Sequence, residues 1–251
     1  MKVFITGASS GIGEALAREY AGRGATLGLV ARREDLLGKL AASLSVPSAT
    51  YAADVRELAA MQAAGADFIA RHGVPDIVIA NAGISHGTLT EYAEDVEVFR
   101  QILDVNVMGM VNAFHPFVAA MRARGSGSLA GIASVAGYRG IPGAAAYSAS
   151  KAAAIRYCES LRVELRATGV KVTTICPGYI ATPMTEKNPY PMPFILSAEQ
   201  FARRCARAIE SGTSQSVIPW QMALVARLLT VTPNALYDFA LARAGRKPRR
   251  G

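Results

Sequence analysis

The stretch "VFITGASSGIGEALAREYAG", residues 3–22, changes character twice within twenty residues. A run of β-branched and aromatic residues gives way to a glycine-spaced turn and then to apolar residues of helical period. The pattern predicts a strand over Val3–Thr6 and a helix over Gly11–Gly22, joined by "TGASSGIG" at 6–13. In that loop Gly7, Gly11 and Gly13 permit a tight turn, close approach of a diphosphate to backbone N–H groups, and close helix-to-strand packing. The helix N-terminus faces the anion, with Ser9, Ser10 and Ile12 between the glycines. The spacing is G-x-x-x-G-x-G rather than G-x-G-x-x-G, so the flanking strand and helix, more than the glycines, argue against an ordinary turn.

Working outward, short β-branched runs alternate with longer Ala-rich amphipathic runs, as a parallel sheet with crossover helices requires. Further strands are expected at Thr26–Ala31, Ala49–Ala53, Ile77–Ala80, Ser128–Ala133, Val170–Cys176 and Ser216–Ile218. Further helices are expected at Arg33–Leu44, Val55–His72, Asp95–Arg122, Tyr147–Thr168 and Ala198–Glu210. The fold class is α/β: a doubly wound, parallel, seven-stranded sheet of the Rossmann type with helices on both faces, in one domain over 1–251. A Pro- and Met-rich segment at about 179–197 follows the sixth strand, where such sheets place ligand-covering loops. An apolar helical extension at about 219–245 is not required by the sheet.

Composition excludes several function classes. The chain is 51% hydrophobic and 18% charged, which is a packed domain and not a disordered one. Its longest charge-free stretch, Val105 to Met121, contains Asn106, Asn112, His115 and Pro116 and reads as a buried helix rather than a bilayer span. The N-terminus starts at once with strand residues and shows no targeting region, so a cytoplasmic protein is expected. Cys158, Cys176 and Cys205 form no C-x-x-C pair and read as reduced structural thiols. His72, His86 and His115 lack metal-ligand spacing, so no metal is expected. The net charge of +8 lies partly in the tail "RAGRKPRRG" and partly in dispersed helix arginines, which reads as a solvated surface and not a nucleic-acid site.

Two further features carry chemistry. About twenty residues past the glycine loop, where a dinucleotide fold places an acid for a ribose 2′-hydroxyl or an Arg for a 2′-phosphate, stands "VARRED" with Arg32 and Arg33. Paired arginines opening a helix oppose its dipole, and a phosphate would compensate them, which favours NADP(H), with NAD(H) the alternative. In "AAAYSASKAAA", residues 144–154, Tyr147 and Lys151 are four apart and share a helix face. A phenol titrates near pH ~10, and a neighbouring ammonium would draw it toward the working range of an acid/base.

"YSASK" matches the Y-x-x-x-K signature of the short-chain dehydrogenase/reductase family, and the chain resembles that family over most of its length. The resemblance runs through "TGASSGIG" (6–13), "DV" (54–55), "NAG" (81–83), "DVNVMG" (104–109), "IASVAG" (132–137) and "YSASK" (147–151) to "PGYIATPM" (177–184). It implies that Tyr147 is the general acid/base and that Lys151 lowers its pKa and holds the nicotinamide ribose. Ser134 would hydrogen-bond the substrate oxygen, and Asn106, by its side chain or by a local helix distortion, would position a water linking Lys151 to solvent. It further places Asp54 and Val55 near adenine and Asn81, Ala82 and Gly83 beside the ribose and diphosphate. Pro177, Gly178, Ile180 and Thr182 would surround the nicotinamide. One departure is "IANAG", where many members have a second Asn before the NAG and this chain has Ala80.

The implied activity is hydride transfer between a nicotinamide and a carbonyl or secondary alcohol. Tyr179, Met184, Tyr190, Met192, Phe194 and Ile195 in the Pro/Met-rich segment suit a hydrophobic or acyl-type substrate under an adaptable lid. The alternatives are an NAD-dependent alcohol dehydrogenase of the same family, an epimerase or dehydratase on the same fold, and an NADPH sensor without catalysis. A sensor has no physical need of the Tyr147/Lys151 pair. The extension at 219–251 admits three placements: over the substrate cleft, in a homodimer or homotetramer interface, or as weak peripheral contact with an anionic membrane.

Overall fold

The computed structural model describes residues 1–186, 188–242, 245 and 247–249. Strands β1 (Lys2–Thr6), β2 (Thr26–Ala31), β3 (Ser48–Ala52), β4 (Ile77–Ala80), β5 (Gly127–Ile132) and β6 (Val170–Pro177) alternate with helices α1 (Gly11–Ala21), α2 (Glu34–Ala42), α3 (Leu58–His72), α4 (Ala93–Leu103), α5 (Gly109–Arg124) and α6 (Ala145–Glu164). Then come the short strands β7 (Ile180–Ala181) and β8 (Leu196–Ser197), helix α7 (Ala198–Glu210), strand β9 (Gln215–Ile218) and helices α8 (Gln221–Val231) and α9 (Asn234–Leu241). The main sheet is seven-stranded, in the order β3-β2-β1-β4-β5-β6-β9, and β7 and β8 pair separately. Its pairings are parallel, with Val3 opposite both Leu27 and Ile77. The order reverses between β1 and β4, which opens a crevice at the carboxyl ends of these strands.

Strand periodicity sorts the core into two layers. Val3, Ile5, Leu27, Leu29, Ile77 and Ile79 point into one, where they meet Leu16 and Tyr20 of α1, Leu37 of α2 and Phe201, Cys205 and Ile209 of α7. Phe4, Val30 and Val78 point into the other, against Phe68 of α3, Phe114 and Phe117 of α5 and Cys158 of α6. Alternate residues of one strand therefore serve opposite faces, and a strand buried on both faces reads as a continuous apolar run.

The long helix expected over Asp95–Arg122 is divided. A π-helical turn, Asp104–Met108, separates α4 from α5. The whole run Ala93–Arg124 is long and apolar enough to cross a membrane by length and hydropathy, but half of its most apolar window is buried against the rest of the domain. Helix α3 starts at Leu58 rather than Val55 because Asn112 of α5 donates to Val55 O at 2.9 Å and Arg56 O at 3.1 Å, holding that stretch as a turn.

The extension is anchored by a cation. Arg139 donates to Leu229 O, Thr232 O and Asn234 Oδ1, and its guanidinium lies 4.0 Å from the Tyr237 ring centroid. Tyr237 in turn donates to Gly140 O at 2.6 Å. Trp220, Leu228, Val231 and Phe239 remain exposed on its outer side. Of the basic tail, the described residues Pro248 and Arg249 are not solvated: Gly87 N donates to Pro248 O at 2.9 Å, and Arg249 pairs with Glu94 and Asp95.

Phe4 is fully buried, with ring centroids 5.5 Å from Phe68 and 4.7 Å from Phe117. Phe4→Ala is expected to cost about 3–5 kcal/mol of unfolding free energy in urea denaturation. A loss below about 1 kcal/mol would contradict this account of the second core layer.

Candidate active site

The glycine loop is shaped by its neighbours as much as by its own backbone. Gly7 and Gly11 adopt positive φ, and a Cβ on Gly7 would stand 2.8 Å from Ala82 Cα. Thr6 Oγ1 accepts from Asn81 N at 3.1 Å and Ala82 N at 3.2 Å, and Asn81 Nδ2 donates to Thr6 O at 3.0 Å. Asn81 is thus a strut between the end of β4 and the loop, as well as part of the cleft wall. Ser10 sits at the N-terminus of α1 in extended backbone, leaving the first N–H groups of that helix toward the cleft.

Arg33 occupies the position before α2 and turns back to the loop, where Nη2 donates to Ser9 Oγ at 3.0 Å and Ser10 Oγ at 2.8 Å. Arg32 is mostly exposed, 3.9 Å from Asp54. Asp54 is taken by Arg56, which binds it through Nε and Nη2 and holds its carboxyl below the usual range. A cavity of about 230 Å³ lies among these groups, lined also by Ala31, Val55, Ala82 and Gly83. A second, of about 170 Å³, is lined by Gly11, Ile12, Asn81, Ser134, Tyr147, Lys151, Pro177, Gly178, Ile180 and Thr182. Ser10 and Gly83 line both, so one elongated cleft runs from the arginines to Tyr147.

At its far end, Ser134 follows β5 and its Oγ accepts from Ala136 N at 3.1 Å, so the helix-cap role expected of an isolated Ser is filled here as well. Tyr147 lies in the first turn of α6, and Lys151 one turn later donates from Nζ to Ile132 O at 2.8 Å. Lys151 Nζ stands 5.7 Å from the Tyr147 ring centroid. Asn106, inside the π-turn, is tied by three bonds: Ile84 N donates to its Oδ1 at 2.8 Å, while its Nδ2 donates to Ile84 O at 3.0 Å and Ser150 Oγ at 2.9 Å. Helix distortion and side chain therefore act together, and a Cβ on Gly83 would fall 3.2 Å from Asn106 Oδ1 and 3.6 Å from Lys151 Nζ.

The short chain dehydrogenase family model matches residues 1–191. The chain belongs to the short-chain dehydrogenase/reductase family. An uncharacterized oxidoreductase of Myxococcus xanthus is 38% identical over 242 residues, covering 95% of each chain. A short-chain dehydrogenase from Streptomyces avermitilis has a similar structure, with a TM-score of 0.81 at 26% identity, covering 96% of this chain and 98% of that one. So does the L-sorbose reductase of Gluconobacter frateurii complexed with NADPH and L-sorbose, with a TM-score of 0.78 at 27% identity over 86% of this chain and 94% of that one. The protein is an oxidoreductase of this family.

In this short-chain dehydrogenase/reductase the electrostatics differ from the sequence-based expectation in one respect. Burial pushes the Tyr147 phenol up overall, and a hydrogen bond from Ser134 opposes that shift. Lys151, buried without an acid beside it among the described residues, is pushed down to about 8 by desolvation. Sequence reading also missed several supports. Thr6 and Ser150 stand inside quoted motifs, and Ser150 Oγ donates to Tyr147 O at 2.7 Å. Thr185 braces the segment after β7 by donating to Ile180 O at 2.6 Å. Asn112 was visible only as a polar residue in an otherwise apolar helix.

Lys151 gives a stability test. Its folded pKa, about 8, lies below the unfolded ~10.4, so between those values the unfolded chain binds more protons and stability rises with pH. Without cofactor, Lys151→Met is expected to be more stable than the natural protein by roughly 2–3 kcal/mol near pH ~7, with the gap closing as pH rises from ~8 toward ~10. Thermal or urea unfolding across that range measures it; a gap independent of pH contradicts a desolvated ammonium.

Proposed function

We propose that this enzyme reduces a carbonyl compound with NADPH, using Tyr147 as proton donor. The observation that carries the reading is the continuity of the cleft from Arg33 at one end to Ser134, Tyr147 and Lys151 at the other.

The residues fit a nicotinamide dinucleotide. The N-terminus of α1 and the glycine loop present backbone N–H groups to a diphosphate, and Gly83 lines the cleft where a Cβ would crowd Asn106 and Lys151. Arg33 is held by the Ser9 and Ser10 hydroxyls, with no carboxylate paired to it among the described residues. Such a cation suits a 2′-phosphate, and Arg32 beside it adds to the same field. Asp54, occupied by Arg56, is a poor partner for a ribose hydroxyl. The L-sorbose reductase from Gluconobacter frateurii, complexed with NADPH, supports the same cofactor choice.

Bound NADPH supplies the hydride. Tyr147, a phenol and so protonated at neutral pH, with burial raising its pKa further, donates its proton to the carbonyl oxygen as the carbon receives the hydride. Ala136 N–H occupies one lone pair of Ser134 Oγ, and with substrate bound the hydroxyl turns from Tyr147 to hydrogen-bond the same oxygen. Lys151 holds the ribose hydroxyls and stabilises the phenolate left on Tyr147, and Asn106 keeps the route by which the proton returns. Met184, Phe194 and Ile195 of the segment after β7 are exposed and offer an apolar cover for an apolar or acyl-type substrate. The apolar outer side of α8 and α9 suits association with a second copy of the chain.

Tyr147→Phe is expected to lower turnover by about 10²–10⁴ while leaving NADPH binding, measured by fluorescence titration, within about threefold. Undiminished turnover would remove Tyr147 as the proton donor. Arg33→Ala is expected to reduce the ratio of kcat/KM for NADPH over NADH by roughly tenfold or more. A ratio that does not move would assign the cofactor preference elsewhere.

A further inference from the structure

The segment 247–249 passes close to Tyr147. It is fastened at Gly87, whose N–H donates to Pro248 O at 2.9 Å, and where a Cβ would collide with that carbonyl at 2.8 Å. Arg249 clamps it further: Nε donates to Asp95 Oδ2 at 2.8 Å, Nη2 to Glu94 Oε1 at 2.8 Å, and the guanidinium lies 3.5 Å from the Tyr92 ring centroid. Asp95 is itself buried and also accepts from Leu89 N at 2.8 Å, so the clamp is built into the start of α4.

The two cations of this segment are treated differently. Arg249 is neutralised by both nearby acids. Lys247 donates from Nζ to the neutral Ser85 Oγ at 2.8 Å, and among the described residues no carboxylate pairs with it. Its ammonium stands 5.8 Å from the Tyr147 ring centroid, as near as that of Lys151. A half-buried ammonium without an acid is unfavourable unless something anionic completes it, and desolvation lowers its pKa. A purely structural strap would need the Arg249 clamp but no cation at that spot.

We propose that Lys247 is a specificity-determining residue that selects carbonyl substrates carrying a carboxylate or phosphate a few atoms from the reacting carbon. Ser85 aims the ammonium, and Arg249, which touches neither Tyr147 nor Lys247 in any described contact, is a positioning residue for it. This inference rests on reading Tyr147 as the reacting end of the site. It narrows the substrate class to an oxo acid or an oxo phosphate whose remaining chain meets the apolar segment above.

The test compares 5-oxohexanoate, its methyl ester and 4-oxopentylphosphonate, by NADPH oxidation and by calorimetric titration into the enzyme with NADP⁺. The variants are Lys247→Met, Lys247→Arg and Arg249→Ala. The natural enzyme is expected to favour at least one anion over the ester by roughly tenfold or more, chiefly through KM. Lys247→Met should bring that ratio toward one, Arg249→Ala should lower it, and Lys247→Arg should restore part of it. Preference for the phosphonate over the carboxylate identifies phosphate as the group read. Absence of any anion preference in both readouts, or a preference that survives Lys247→Met, overturns the inference. If NADPH is oxidised in a Tyr147-dependent way without regard to charge, only this inference fails. If the anions bind in a Lys247-dependent way but none is reduced, the recognition stands and the reductase reading fails.

Discussion

Much of the site is arranged around the buried ammonium of Lys151. It sits one helical turn from Tyr147 and, among the described residues, has the backbone carbonyl Ile132 O as its hydrogen-bond partner, and burial moves its pKa down to about 8. An ammonium in that condition attracts oxygen ligands, which is a useful property at the floor of a cleft and a costly one elsewhere. The neighbouring polar groups are committed to one another. Asn106 is fixed to Ile84 and Ser150, Ser150 is fixed to the backbone of Tyr147, and Gly83 has no side chain to fill the space between. The π-turn at Asp104–Met108 belongs to the same arrangement, since it places Asn106 within reach of the loop after β4.

The rest of the cleft follows from where the sheet reverses direction. With β1 and β4 adjacent and parallel, their carboxyl ends present the glycine loop and the Asn81–Gly83 segment side by side, and Thr6 and Asn81 lock the two together. Cations are then distributed by role. Arg56 takes Asp54, Arg249 takes Glu94 and Asp95, and Arg139 fastens the α8–α9 corner, so these charges are structural. Arg33 and Lys247 are each held by hydroxyls, the first beside the glycine loop and the second near Tyr147. A net charge of +8 therefore says little until each cation is matched to its partner.

Much of this was legible in the sequence because it is local. The seven main strands were expected within about a residue of their observed bounds, since β-branched runs between glycines and helical stripes mark a parallel sheet. The Tyr147/Lys151 pair was legible because an i, i+4 spacing on one helix fixes relative position before any tertiary contact forms. The glycine loop was legible for the same reason, being bounded by its own strand and helix.

What the sequence alone determined is the α/β class, the order of the main elements and the placing of Tyr147 and Lys151 on one face of a helix. Tertiary structure decided which distant groups meet them. The division of the long helix, the late start of α3 at Leu58, the pairing of Arg33 with Ser9 and Ser10, and the return of Lys247 to Tyr147 all join residues far apart in the chain. The tail read as solvated charge because composition carries no information about partners, and its clamp at Asp95 lies more than 150 residues away. The physical reason is that spacing along one element fixes geometry locally. Contacts between elements depend on how the whole sheet twists and packs, and on which buried charges find a partner there.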